Sequence, residues 1–248
     1  MPKLQRTPEE VGKIRENILK QAVQLMNKVG YQDFSMRRLA RAIKVTPPTL
    51  YNYYQDKDEL YLCILTKGFS RLYELHLAAY NSSKDPFERL QAIVKAFIDF
   101  GLNSVNFYNL MFTWHVPKYN EYRGAPLEPI AKIELDTSQQ VSNLCIKVMK
   151  ECAGKNHTLS EEDARFLLVY YLSTLHGYVA SLNNTLLNYI HETPMSVKEE
   201  VLEILHDTFV REVRTRRVRI TSRAKRNHKY FRKTEIGRER RIKAQLRY

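Results

Sequence analysis

The chain has 248 residues, 44% hydrophobic and 27% charged, a balance ordinary for a globular protein and enough for a small domain joined to a larger one. No apolar run reaches the length that spans a bilayer, and the opening MPKLQRTPEEVGK has no apolar signal stretch, so no membrane partner and a cytoplasmic location are expected. The net charge of +13 is unevenly placed: Arg211 to Tyr248 holds sixteen basic and three acidic residues, which alone makes +13. The first 210 residues are neutral as a whole, while residues 1–67 hold twelve basic and seven acidic groups, so both ends suit a polyanion.

Glycine and proline are sparse and no strand-like alternation persists, which predicts an all-α chain. Val11, Ile14, Ile18, Ala22, Leu25, Met26 and Val29 recur at three- and four-residue steps, the stripe of one long helix that Gly30 ends. A short helix over about 36–43 has Ser35 as its N-cap, and another runs from Pro47 to about Tyr54. Asp56 caps a fourth helix, with Glu59 placed to complete a capping box. Asp85-Pro86 opens a helix to about Phe100, residues 103–114 form a short aromatic helix, and Val116 to Pro126 reads as a loop. Helices follow over about 127–152, about 160–189 and, after the break at Pro194, about 197–214. Cys63, Cys145 and Cys152 show no metal-ligand spacing with the histidines. Cys145 and Cys152 lie two helical turns apart as core-facing apolar residues, which suits a reducing compartment and predicts no metal site.

The segment SMRRLARAIKVTPPTLYNYYQDKDEL concentrates the functional signal. Leu39, Ala40, Ile43, Val45 and Leu50 are spaced to fill the small joint core of two steeply crossed helices. Thr46 caps the second of these, and Pro47 and Pro48 occupy positions whose N–H groups have no intrahelical partner anyway. That helix then presents Thr46, Thr49, Tyr51, Asn52 and Tyr53 on an exposed side sized for the major groove, with Tyr54 turned inward. Ser35, Arg37, Arg38, Arg41 and Lys44 surround it as phosphate-contacting candidates, and Asn52 can pair with adenine or bond a phosphate.

A long helix ending in Gly30, then FSMRRLARAIKV, then TLYNYYQDKDEL resembles the N-terminal pattern of the TetR (tetracycline-repressor) family over about residues 13–65. The resemblance implies an N-terminal three-helix helix-turn-helix head on a larger helical body. It implies a homodimer on a palindromic double-stranded DNA operator, with the two heads in successive major grooves about 34–36 Å apart. Lys57, at the start of the fourth helix, matches a phosphate-contacting lysine of the family. Two positions depart from the pattern: Lys44 stands where the family usually has a turn glycine, and Pro48 where it often has glycine before Thr-Leu-Tyr. Farther on, FYNLMFTWHV and STLHGYVASLN resemble in part the subgroup whose C-terminal domain is named for a Trp-His-Gly signature, His176-Gly177 matching it.

The resemblance also implies a small-molecule site in the body. Phe107, Met111, Phe112, Trp114, His115, Tyr170, His176 and Tyr178 are the candidate lining of a mostly apolar pocket. Leu167, Leu168, Leu175, Leu202, Leu205 and Phe209 are candidate core or dimer-interface positions. The sequence holds no phosphate-cradling glycine loop, nucleophile elbow or His/carboxylate helix motif, so no catalytic residue and no cofactor are expected. The expected organisation is a DNA-binding domain over 1–56, a ligand-binding and dimerisation domain over 57–213 and a basic extension over 214–248. The whole reads as a ligand-responsive transcription regulator, a repressor. Its rivals are a non-specific nucleic-acid-binding or architectural protein using the basic tail, and a helical ligand-binding protein.

Overall fold

The computed structural model describes residues 7–113, 117–153 and 159–215. Among the described residues all regular structure is helical. α1 (Pro8–Val29) is opened by a capping box, Thr7 accepting from the Glu10 N–H while the Glu10 carboxylate accepts from the Thr7 N–H. It buries Ile18, Ala22, Val23 and Met26, and Gly30 stops it at φ 86°, a conformation that only glycine adopts without strain.

α2 (Met36–Ala42) and α3 (Pro47–Tyr51) cross beside α1, sharing a core of Leu39, Ala40 and Leu50, each fully buried. The turn between them is a Schellman motif: the Lys44 N–H bonds to the Arg41 carbonyl at 3.2 Å and the Val45 N–H to that of Ala40 at 2.9 Å. α3 is shorter than its sequence suggests. It ends at Tyr51 instead of about Tyr54, because the N–H groups of Tyr53 and Tyr54 turn back onto the Leu50 carbonyl and both rings go inward.

α4 (Lys57–Asn81) is capped by Asp56, whose carboxylate accepts from the Glu59 N–H at 2.8 Å. The expected capping box is only half made, since the Glu59 carboxylate accepts from the N–H of Gln55 and not from Asp56. α4 is the spine of the molecule. α5 (Pro86–Asn103) and α8 (Glu128–Cys152) pack along it, and α9 (Glu161–Asn183) and α10 (Lys198–Thr215) complete the body.

Three body segments differ from expectation. Residues 103–114 hold the one-turn α6 (Val105–Tyr108) and a π-helical turn (Asn109–Thr113), not a single helix. The expected loop contains α7 (Tyr119–Tyr122), started by the Glu121 carboxylate accepting from the Lys118 N–H. The helix expected to reach residue 189 stops at Asn183, because Thr185 adopts a left-handed φ of 61° and a separate 3-10 turn follows over Leu186–Tyr189.

Head and body share one hydrophobic core that runs without a gap from Ile18 on α1 to Phe209 on α10. Tyr61 on α4 is the joint. Its ring packs edge-on against Tyr31 of the head at 4.9 Å between centroids, and its hydroxyl donates to the Leu110 carbonyl at 2.7 Å. Within the body, Gly68 lets the π-helical turn approach α4, since a Cβ there would lie 2.5 Å from Met111 Sδ.

Candidate functional site

The head presents one polar, cationic face built by local capping. Ser35 accepts the Arg38 N–H at 3.2 Å and so spends its hydroxyl on starting α2. The Arg38 guanidinium donates to the Asp33 carbonyl at 2.8 Å, which ties it to the α1–α2 connection, while Arg37, Arg41 and Lys44 are exposed. On α3 the hydroxyls of Thr46 and Thr49 bond each other at 2.8 Å, and Tyr51 and Asn52 stand in solvent beyond them.

Tyr53 does not belong to that face. It is 8% exposed because the chain has already left the helix, and its ring goes inward as that of Tyr54 does. Arg15 on α1, which sequence reasoning missed, fixes this reversal. Its guanidinium bonds the Tyr53 carbonyl, lies 4.3 Å from the Tyr54 ring centre and pairs with Glu59 at 3.5 Å. The Tyr54 hydroxyl returns a bond to the Arg15 carbonyl at 3.2 Å, so α3 is held from behind while its front stays open. The signal for Arg15 was a cation next to Ile14 of the apolar stripe of α1, which period alone cannot tell from a solvated residue.

Lys57 stands at the first position of α4, with its ammonium 4.1 Å from the Tyr31 ring centre and 3.4 Å from the Tyr31 carbonyl. An ammonium has three donors, so this seat leaves capacity for a phosphate in front of the helix N-terminus. Tyr31 donates in turn to Asp58 at 2.6 Å, and burial together with that carboxylate pushes its phenol well above the usual range.

The body holds a partly open cavity of about 100 Å³ between α4, α5, α8 and α9. Its wall is almost wholly apolar, with Phe97, Phe112, Val141 and Leu175 among the lining side chains and His76, Ser138, Ser142, Cys145 and Tyr171 as the polar ones. Of the described residues among those expected from sequence to line a pocket, only Phe112 lines it. Phe107 and Met111 pack against α4 at Gly68 instead, and Tyr178 donates to the Pro194 carbonyl at 3.3 Å. His176 stacks on Tyr108 and bonds its hydroxyl at 2.7 Å, and so sits behind Phe112 and outside the lining. Tyr170 is 43% exposed on the outer side of α9, and its neighbour Tyr171 faces the cavity. Trp114 and His115 lie outside the described residues.

In the cavity, sequence reasoning missed His76. It lies on the inner stripe of α4 one turn beyond Leu72, is 2% exposed, and burial alone pushes its imidazole down to about 4. The partner 3.7 Å from its Nδ1 is the thiol of Cys145, which burial pushes up to about 12. Among the described residues no group of three or more His, Cys, Asp or Glu could hold a metal ion, and no helix is long and apolar enough to cross a membrane.

A short run of chain connects cavity and head. Phe112 lines the cavity, the adjacent Met111 presses on Gly68, the Leu110 carbonyl accepts from Tyr61, and the Asn106 carbonyl accepts from the Asn27 amide of α1 at 3.0 Å.

The described residues thus combine a helix-turn-helix head with an open α3 and a helical body that holds an apolar cavity. Residues 18–64, which span most of the head and the start of α4, match the model of the bacterial regulatory proteins of the tetR family. The transcriptional activator FasR of Mycolicibacterium smegmatis is 27% identical over 140 residues, 56% of this chain and 58% of FasR, so the alignment spans less than two thirds of that relative. A bacterial regulatory protein in the tetR family from Rhodococcus RHA1 has the same fold, with a TM-score of 0.61 and 16% identity over 79% of this chain and 96% of its own. AibR, solved in complex with isovaleryl coenzyme A and operator DNA, is similar in fold at a TM-score of 0.53 and 19% identity, covering 67% of this chain and 85% of its own.

Proposed function

We propose that the chain is a ligand-responsive transcription regulator, a repressor that occupies a palindromic operator as a homodimer and leaves it when an apolar effector fills the body cavity. The observation that carries the proposal is the pairing of an exposed α3 face with an apolar cavity in the body, joined through residues 105–113. Tyr51 and Asn52 read base edges, while Ser35, Arg37, Arg38, Lys44, Thr46, Thr49 and Lys57 position the backbone. Residues 1–56 form the reading unit, 57–213 the sensing and dimerising unit, and 214–248 a basic extension.

Dimerisation uses the outer sides of α9 and α10, where Phe166, Val169, Tyr170 and Ile204 expose large apolar side chains. Leu167, Leu175, Leu202, Leu205 and Phe209 are instead buried within the single chain. Coupling is a shift between two head positions. An effector that moves Phe112 moves the Asn106 carbonyl on which α1 leans, and an open cleft of about 850 Å³ between α1 and residues 103–107 gives the head room to swing.

A second reading, non-specific polyanion binding, is favoured by the +13 carried from Arg211 to Tyr248. Selection of bound sequences from random duplex DNA with the full chain separates the two. A regulator enriches one palindrome that survives at physiological salt, and an architectural protein enriches none.

A further inference from the structure

The polar atoms of the cavity wall form a short inventory, and all but one are committed. The Ser138 hydroxyl donates to the Leu135 carbonyl at 2.8 Å, that of Ser142 to the Ser138 carbonyl at 3.4 Å, and that of Tyr171 to the Leu205 carbonyl at 2.7 Å. His76 Nδ1 faces the Cys145 sulfur, while His76 Nε2 is buried with no hydrogen-bond partner. A protonated Cys145 thiol donating to Nδ1 would leave the ring proton on Nε2. The wall holds no Lys, Arg, Asp or Glu, and burial keeps His76 neutral.

A buried N–H without an acceptor is costly, and a ligand that supplies the acceptor recovers that cost. A ligand carboxylate would meet one donor and no resident cation, too little to replace its hydration. We propose that the effector, where it lies in the cavity, is uncharged and carries a single hydrogen-bond-accepting oxygen, of the ketone, ester or ether kind, bound by His76 Nε2–H. This assignment rests on the cavity's being the effector site, and it adds the chemistry that the site selects.

The test uses the full-length protein with three probes of similar size: acetophenone, its isostere α-methylstyrene, which has CH2 in place of the oxygen, and benzoate. Calorimetric titration should find acetophenone bound about tenfold more tightly than α-methylstyrene, the value of one hydrogen bond made in place of an unmade one, with benzoate weakest. His76→Phe should bring the ketone-to-alkene ratio to about one, and His76→Gln, which keeps a donor, should retain a preference for the ketone. In the unaltered protein acetophenone should move the His76 Nε2 proton resonance downfield, a readout that does not depend on any variant folding. Equal affinity for ketone and alkene, or tightest binding of benzoate, would overturn the anchor and leave the cavity standing. Binding of none of the three would overturn the cavity reading and the anchor with it. Probe binding that leaves operator affinity unchanged would support the anchor and remove the effector role.

Discussion

Lys44 offers the sharpest single-residue test, because its backbone and its charge can be probed separately. It sits at φ 58°, in the turn closed by the Lys44–Arg41 and Val45–Ala40 hydrogen bonds, with its side chain in solvent. A residue with a Cβ loses roughly 1–2 kcal/mol in that conformation, and glycine returns about 0.5–1 kcal/mol of this through its greater freedom when unfolded. Lys44→Gly should therefore exceed Lys44→Ala in stability by about 0.5 kcal/mol, while Lys44→Ala should differ little from the parent. Equilibrium urea unfolding of the three full-length proteins checks this, with the glycine midpoint raised by about 0.2 M if the slope is near 3 kcal/mol/M. Both substitutions remove the same charge, so any lost phosphate contact should reduce the salt dependence of DNA binding equally in the two. A glycine variant no more stable than the alanine variant would refute the strain argument.

Asn52→Ala should cost about 1–3 kcal/mol on the preferred duplex and little on random DNA, as measured by competition binding, and equal losses would show that Asn52 only positions the backbone. Lys57→Ala should weaken binding to every duplex and lower the salt slope by about one unit per protomer. It also removes the cation from the Tyr31 ring, so urea unfolding should report about 0.5–1 kcal/mol lost, and an unchanged salt slope would refute the phosphate role. Ending the chain after Thr215 should leave sequence preference intact, reduce affinity for random duplex at low salt and flatten its salt slope. Unaltered random-duplex affinity in a dimeric truncated protein, checked by sedimentation, would remove the tail from DNA binding.

The head was legible because its determinants are local. Ser35, Thr46 and Asp56 each cap the helix that begins at the next residue, and the Lys44 turn is closed within six residues. Legibility ended where α3 did. Past Tyr51 the helical period no longer says which side a residue faces, so Tyr53 was placed on the DNA side when its ring is buried. α9 resisted for the opposite reason. Phe166 through Leu172 is apolar without interruption, so no stripe distinguishes the inward Leu167 and Tyr171 from the outward Val169 and Tyr170. The cavity's polar pair was out of reach because His76 and Cys145 are 69 positions apart and meet only once α8 packs on α4.

The core that passes unbroken from Ile18 to Phe209 bears on how the molecule comes apart. A chain cut between Asp56 and Lys57 would strip Tyr31 of both the Tyr61 ring and the Asp58 carboxylate, leaving the reading unit with aromatic surface open to water. Reading and sensing units should thus melt in one calorimetric transition, without a folded head surviving a molten body. Amides of α2, although remote from the cavity, should then exchange more slowly with solvent deuterium when an effector is bound, wherever their exchange requires global opening.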